Sequence, residues 1–130
     1  MAAILNIHRD GEPFTMGDTT SRVLVSPRMG ARFVTFNYIR YGPNAEFPQH
    51  LHDHSEDVFL ILEGTGWLRE GEKRTPIGPG DVVFVPPGEI HGTIAGPEGM
   101  VVISCQGPPD AKLYTGERDS SRQREPTGAS

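Results

Sequence analysis

Glycine and proline interrupt this chain at short intervals, and that spacing constrains its fold more than any other feature. The 130 residues include 16 Gly and 12 Pro, together more than a fifth of the chain. Turn sequences such as Gly42-Pro43-Asn44 and Gly78-Pro79-Gly80 separate short segments rich in β-branched and aromatic residues. Turns that recur about every 8–12 residues are typical of β-sandwiches and barrels. The sequence therefore predicts an all-β fold rather than an α/β fold.

Three segments carry the clearest strand patterns. Residues 32–41 alternate polar and apolar side chains, which predicts a strand with one buried and one exposed face. Residues 82–85 read Val-Val-Phe-Val, a composition that favours a buried strand. Residues 65–77 have Glu-Gly-Glu at their centre, between two alternating segments, and this arrangement predicts a hairpin.

Length, charge and cysteine content restrict the class of protein. A chain of 130 residues suits one domain with a single core. The formal net charge of −5, without a basic patch rich in aromatic residues, argues against nucleic acid as a partner. The apolar run within residues 1–7 is too short for a signal peptide or a membrane span. Cys105 is the single cysteine and cannot form an intrachain disulfide, so we expect a cytoplasmic protein without membrane association.

A pair of histidines marks the first candidate site. His50 and His52 are two residues apart, so both rings project from the same face if this segment is extended. Two neutral imidazoles on one face can chelate a metal ion once further donors are present. The polar segment Asp53-His54-Ser55 predicts a tight connection to the next strand, which would bring either Glu56 or Asp57 close to the pair.

A third histidine comes after the predicted strand at residues 82–85 and the forced turn that follows it. The segment runs from the strand at 82–85 through Pro86-Pro87-Gly88 to His91. Because His91 begins the segment that follows this turn, it is a plausible fourth ligand.

These two segments resemble the two motifs of the cupin family, and the resemblance covers about residues 22–108. The first motif matches at His50, His52 and Gly64, with Asn44 where the family usually has glycine. Asn is a mild replacement there because it tolerates left-handed backbone better than most residues. The second motif matches at the positions Gly80, Pro86, Gly88 and His91, with Ala95 where the family often has asparagine.

The carboxylate of the first motif is ambiguous in this chain. Six residues separate Asp57 from Gly64, which places Asp57 at the position of the family's glutamate. Glu56 precedes it and has a side chain one methylene longer. Strand alternation allows only one of the two to point inward unless a bulge intervenes. We favour Asp57 on spacing and leave Glu56 as the alternative.

The resemblance implies a double-stranded β-helix, or jelly-roll barrel, with a metal site inside it. The implied ligands are His50, His52, Asp57 and His91, around a divalent transition metal. Three nitrogen donors and one oxygen donor suit Fe, Mn, Ni, Co, Cu or Zn and do not choose among them.

The resemblance also implies a small-molecule substrate, and three kinds of function remain open. The leading hypothesis is a metal-dependent enzyme acting on a small oxygenated organic molecule, with a dioxygenase narrowly preferred. The alternative is a metal-dependent isomerase or cyclase in which a pocket residue such as Glu56 or His54 transfers protons. The third is a cupin that binds a small ligand without catalysis.

The chain divides into three parts at the level of sequence. Residues 1–21 form an N-terminal arm, residues 22–115 form the barrel, and residues 116–130 are predicted to be a disordered tail because their last fourteen residues contain no large apolar side chain. Residues 58–62 are apolar at consecutive positions and so present large side chains on both faces of their strand. A single small barrel has one interior, so we expect a homodimer to cover the outer set.

Overall fold

The computed structural model describes residues 1–110, and within them the chain forms eight β-strands and one turn of 3₁₀-helix. The predicted tail at 116–130 lies outside the described residues. The strands are β1 (Glu12–Met16), β2 (Thr19–Val25), β3 (Thr35–Tyr41), β4 (Glu46–His50), β5 (Glu56–Glu70), β6 (Lys73–Ile77), β7 (Val82–Val85) and β8 (His91–Gly107). The 3₁₀-helix spans Pro27–Met29 between β2 and β3. Within residues 1–110, the structure has no helix long and apolar enough to cross a membrane.

The two long strands, β5 and β8, organise the molecule. They pair antiparallel along most of their length, with register shifts between Ile61 and Glu63 and between Gly64 and Gly66. On one side of these shifts the sheet order is β1-β2-β3-β8-β5-β7, and on the other side β8 lies between β4 and β5, with β6 beyond β5. Each long strand therefore belongs to two sheets, which confirms the predicted all-β jelly-roll architecture.

The core lies between the two sheets. The sheet that contains β3 contributes Ile39, Phe59, Ile61 and Val102, and the sheet that contains β6 contributes Ile77. Along β5 the side chains alternate as a strand requires, because Phe59 and Ile61 are buried while Val58 and Leu62 are each 39% exposed. Both faces of this strand are apolar, as the sequence indicates, and the outer one remains accessible in one copy of the chain.

Strands β1 and β2 form one edge of the sheet that also contains β3 and β7, which we call the larger sheet. The proposed boundary between arm and barrel at residue 22 falls within β2, and β1 pairs with β2 from Glu12 to Met16. Upstream of β1, Ile7 packs against a second, smaller cluster on the outer side of the sheet, formed by Leu24, Tyr38 and Val101. This part of the arm therefore covers β2, β3 and β8.

Two close approaches of backbone occur where β5 and β8 turn from one sheet into the other. Gly64 has φ +77, and a Cβ built there would meet the carbonyl oxygen of Gly99 far inside van der Waals contact. Gly66 approaches the carbonyl oxygen of Ile94 in the same way. The glycine that ends the first motif is thus required by the bend of the barrel.

We expect Gly64→Ala to lower the free energy of unfolding by more than about 3 kcal/mol, since it adds a steric clash to the cost of left-handed backbone. Gly71→Ala is a matched control because Gly71 has φ +65 and nothing within 4 Å of the added methyl group. That variant should lose only about 1–2 kcal/mol. Urea denaturation measures both, and equal losses in the two variants would show that the close approach carries no extra cost.

Candidate metal centre

Four side chains from separate parts of the chain meet inside one end of the barrel. His50 is the last residue of β4, His52 follows in the connecting loop, Asp57 is the second residue of β5 and His91 begins β8. His50 and His91 are directly paired across β4 and β8. Their exposed fractions are 3% for His50, 4% for His52 and Asp57, and 2% for His91. One donor atom from each lies within 4.8 Å of all the others.

Backbone carbonyls orient two of the imidazoles. His50 Nδ1 donates to the carbonyl oxygen of Pro48 at 2.8 Å, and His91 Nδ1 donates to that of Glu89 at 3.0 Å. A carbonyl oxygen only accepts hydrogen bonds, so Nδ1 carries the proton in both rings. Each Nε2 is therefore the atom left to bind a ligand on the inner side.

A carboxylate orients the third imidazole. His52 Nδ1 lies 2.8 Å from Asp110 Oδ2, and the Asp110 backbone N–H donates to Gln106 Oε1 at 2.6 Å. Gln106 Nε2 in turn donates to Asp57 Oδ1 at 3.3 Å. Sequence reasoning did not find Asp110 and Gln106, because their roles depend on the return of β8 to the cluster. Nothing in the local sequence around them signals this.

The inner side of the cluster has the geometry of a cation site. Asp57 Oδ2 lies 3.1 Å from His91 Nε2 and 3.4 Å from His52 Nε2. With Nδ1 of His91 already protonated, Nε2 presents a lone pair to the carboxylate unless a proton or a metal cation lies between them. A divalent cation in the centre would satisfy all four donors at once, so the residues present fit a metal ion.

The structure places the two candidate carboxylates on opposite faces of β5. The Asp57 side chain points into the cluster, whereas Glu56 is exposed. His54 is also exposed, in the loop between β4 and β5. Neither Glu56 nor His54 lines the cavity beside the cluster. The structure therefore brings together four of the six candidate site residues and leaves these two outside.

Burial and mutual contact shift the protonation of the cluster when no metal is bound. Burial, together with the neighbouring His91, lowers the pKa of His50 to about 3. Burial alone would also lower the pKa of His52, but hydrogen bonds with Asp110 and Asp57 outweigh it and raise that pKa to about 9. Burial would raise the pKa of Asp57, but hydrogen bonds from His52 and His91 outweigh it and hold that pKa well below its usual range.

We expect the metal-free protein to be most stable near pH 6.5. A histidine whose pKa is lowered by folding, as in His50, costs stability as the pH falls from about 6.5 toward 3. A histidine whose pKa is raised by folding, as in His52, stabilises the fold below about pH 6.5, and this contribution is lost as the pH rises to about 9. Melting temperatures measured in EDTA from about pH 4 to about pH 9.5, a range that covers most of both transitions, give this stability profile.

The variant Asp110→Asn removes the charged partner of His52 and should flatten the alkaline side of that profile. The acid side, which depends on His50 and Asp57, should keep its slope. An unchanged alkaline side in this variant would contradict the assignment of that limb to His52.

A cavity of about 320 Å³ extends from the cluster along the inner face of the larger sheet. Next to the cluster its wall includes the rings of Phe59 and Phe47, which contact His91 and His50, and the amide of Gln106. Ile39 and Val102 continue the wall farther along the sheet. Farther out it is bordered by β1, including Glu12, and by Arg28 of the 3₁₀-helix. This volume is sufficient for a small organic molecule.

A hydrogen-bonded phenol lies in the same cavity. Tyr41 Oη and Thr93 Oγ1 are 2.6 Å apart, and both residues line the cavity. Burial raises the pKa of Tyr41 to about 12, partly offset by the hydrogen bond with Thr93. The phenol is therefore protonated at neutral pH and can donate a hydrogen bond to a bound molecule.

Comparison with known proteins supports the fold. A family model described as Cupin domain matches residues 37–105, which include all four cluster residues. Among curated proteins, the dimethylsulfoniopropionate lyase DddW of Ruegeria pomeroyi is 31% identical over 87 residues. That match covers 66% of this chain and 57% of the lyase, so the chain spans little more than half the length of this relative.

Solved structures share the architecture at lower sequence identity. KdgF from Halomonas sp. superposes with a TM-score of 0.73 at 14% identity and covers 88% of this chain and 99% of its own. The polyketide cyclase RemF from Streptomyces resistomycificus gives a TM-score of 0.67 at 25% identity, covering 89% and 94%. A predicted oxalate decarboxylase from Thermotoga maritima gives 0.70 at 20% identity, covering 81% and 98%.

Proposed function

This chain belongs to the cupin family, and from that premise we propose that it is a metal-dependent enzyme acting on a small oxygenated organic molecule. The observation that carries the proposal is the buried convergence of His50, His52, Asp57 and His91 at the end of a cavity large enough for such a molecule. A buried cluster of this kind, each member held by a further hydrogen bond, is a costly arrangement without a cation to bind.

The four residues would hold the metal through three Nε2 atoms and one carboxylate oxygen. A divalent ion such as Fe, Mn, Ni, Co, Cu or Zn would supply Lewis acidity toward a substrate oxygen or, for a redox-active ion, one-electron chemistry. The chain itself supplies the apolar wall around Phe59, which excludes water from the reacting end of the substrate.

Of the two kinds of enzyme considered, one that uses acid–base chemistry without O₂ has more specific support than a dioxygenase. The Tyr41 phenol lies in the cavity and can donate a hydrogen bond or a proton to a substrate oxygen as charge develops on it. The 31% identical relative is a lyase, and an isomerase, cyclase or lyase would each use such a group. The dioxygenase hypothesis stays a prediction, supported by the three-histidine, one-carboxylate donor set.

The proton-transfer roles predicted for Glu56 and His54 also stay predictions. Both side chains are exposed, so either would need to reach a substrate from the mouth of the cavity. Comparing Tyr41→Phe with Glu56→Gln and His54→Gln separates the candidates. We expect the Tyr41 variant to lose most of its kcat, with little change in metal content.

The test begins with elemental analysis of the purified protein. The metal-loaded protein is then screened against catechols, flavonols, 1,3-diketones, sugar acids and dimethylsulfoniopropionate, with O₂ consumption and product formation measured in parallel. Turnover in anaerobic buffer would establish the acid–base class, and O₂ uptake coupled to product would establish the dioxygenase. Stoichiometric metal without turnover of any compound would instead favour the non-catalytic ligand-binding alternative, and a protein that never binds metal would refute the proposal.

We also propose that a second copy of the chain covers the exposed apolar face of β5 and β7. Val82 is 64% exposed, Phe84 is 55% exposed and Val58 is 39% exposed, and the register places Phe84 directly beside Val58. Ile7 of the N-terminal arm packs elsewhere, on the cluster around Leu24. Contiguous apolar surface of this kind favours a closed two-fold pair.

Light scattering at micromolar concentration should therefore give about twice the chain mass of 14.2 kDa. Phe84→Lys should give the mass of one chain, while Phe33→Lys is the control because Phe33 is 74% exposed outside β5 and β7. A parent protein that scatters as a single chain would refute the homodimer.

The single cysteine supports a reducing compartment. Cys105 is a free thiol, and burial raises its pKa, which keeps it in the unreactive protonated form. We propose that the protein works in the cytoplasm, and recovery of the native protein in a membrane or extracellular fraction would contradict this.

A further inference from the structure

One buried polar atom, on a residue that lines the cavity, has no hydrogen-bond partner among the described residues. It is the side-chain oxygen of Asn37, in the middle of β3 on the face that lines the cavity. Its neighbours in register are Val23 on β2 and Ser104 on β8, and both also line the cavity. Buried amide oxygens are almost always hydrogen-bonded, and an unpaired one calls for an explanation.

The position of Asn37 relative to the metal cluster is set by the sheet. Residues that are partners across β5, β8 and β3 form a row, and Asp57, Gln106 and Thr35 make up one such row. Asn37 lies on β3, two strands away from β5, in the next row whose side chains face inward. Two strand spacings and two residues along the strand put the α-carbons of Asp57 and Asn37 about 12 Å apart on a flat sheet. Side chains converge across the concave face, so the gap between their functional atoms is shorter.

The surface between the two positions combines one aromatic ring with polar side chains. Gln106 and Ser104 of β8 lie between β5 and β3 in these two rows, and both line the cavity. Phe59 lies in the same row as Asn37 and Ser104, and its ring is 5.9 Å from that of His91. Val102 and Ile39 continue the same inner face. A molecule that reached from the cluster to Asn37 would therefore contact metal ligands at one end, the Phe59 ring together with the polar side chains of Ser104 and Gln106 along its middle, and an amide at the other end.

We propose that Asn37 is a specificity-determining residue whose amide rotates to turn its unpaired oxygen into the cavity, where it accepts a hydrogen bond from the far end of an elongated ligand. The ligand would carry a metal-binding oxygen group, such as a carboxylate, at one end and a hydroxyl, amide N–H or ammonium donor at the other, joined by about four to six carbon atoms, each adding about 1.3 Å in an extended chain. The metal-binding end rests on the proposed function, whereas the donor end rests on Asn37 alone. A two-carbon dicarboxylate is too short to reach both positions.

The physical basis for discrimination is the asymmetry of buried hydrogen bonds. A ligand with a donor at its far end satisfies the Asn37 oxygen, whereas the same ligand ending in a methyl group leaves that oxygen unpaired and without water. We therefore expect the donor to strengthen binding by about tenfold.

The experiment compares three probes with the metal-loaded parent protein by calorimetry: hexanoate, 6-hydroxyhexanoate and 6-aminohexanoate. The parent should bind 6-hydroxyhexanoate about tenfold more tightly than hexanoate. In Asn37→Leu this preference should disappear or reverse. In Asn37→Asp the new carboxylate should shift the preference toward 6-aminohexanoate.

A matched control separates recognition from a structural effect. Asn44→Asp makes the same chemical change at an exposed turn outside the cavity, where φ is +58 and Asp is tolerated. This variant should keep the preference of the parent, and all variants should keep the parent's metal content. The ratio of affinities for two probes is the diagnostic quantity, because general destabilisation would weaken both probes alike.

Three results would overturn the assignment: equal affinity of the parent for hexanoate and 6-hydroxyhexanoate, no binding of either at millimolar concentration, or an unchanged preference in Asn37→Leu. Failure of the proposed function would look different. A parent that holds no metal but prefers 6-hydroxyhexanoate, with the preference lost in Asn37→Leu, would remove the metal-dependent activity and leave the role of Asn37 intact.

Discussion

Changing both His50 and His52 to alanine is expected to abolish stoichiometric metal binding. The two rings supply half of the four donors, and one nitrogen of each ring lies within 4.8 Å of the other two donor atoms. A site left with one imidazole and one carboxylate competes poorly with water for a divalent ion. Elemental analysis after dialysis against a weak chelator measures the loss.

The control for this variant removes two histidines from outside the cluster. His8 and His54 are both exposed, so the double variant His8→Ala/His54→Ala should bind metal like the parent. Near-equal melting temperatures of the two double variants in EDTA would exclude unfolding as the cause. Full metal occupancy in His50→Ala/His52→Ala would show that the ion binds elsewhere.

The second large effect is expected from Asp57→Asn, which should weaken metal affinity by more than about 100-fold, beyond the 10–100-fold usual for groups that only orient a ligand. The substitution keeps the size of the side chain and removes the charge that lies 3.1 Å from His91 Nε2 and 3.4 Å from His52 Nε2. Isothermal titration with Mn(II) or Zn(II) gives the two affinities directly.

The neighbouring residue provides the control, because Glu56→Gln makes the same chemical change on the exposed face of β5. Its metal affinity should stay within about twofold of the parent's, a difference of less than about 0.5 kcal/mol. If instead the Glu56 variant weakened binding and the Asp57 variant did not, the carboxylate ligand would be Glu56. If neither variant changed the affinity, the site would depend on histidines alone.

The strands were predictable where the pattern was local. Alternation in residues 32–41 predicted β3, although the strand begins only at Thr35, and the Glu-Gly-Glu turn predicted the hairpin between β5 and β6. Read by the same local patterns, residues 93–94 and 100–104 predict two short strands around the turn Gly96-Pro97-Glu98-Gly99. In the structure both segments are parts of one strand, β8. The β5–β8 register skips residues 96–99, between the pairs Gly66–Ala95 and Gly64–Met100, because β5 bends beside β8 at these two glycines. No pattern within β8 itself could reveal that.

The sequence by itself determined the all-β class, the family and the three histidines of the cluster, and it narrowed the carboxylate to Asp57 or Glu56. It could do so because these depend on turn residues, alternation and motif spacing, which are properties of neighbouring positions along the chain. Only the tertiary structure decided which groups hold the cluster in place and what faces it. Asp110 is 58 positions from His52, and the rows that carry Asn37 and Asp57 exist only once β3, β8 and β5 are paired in register. Contacts of this kind are made by the folded sheet, so local sequence carries no record of them.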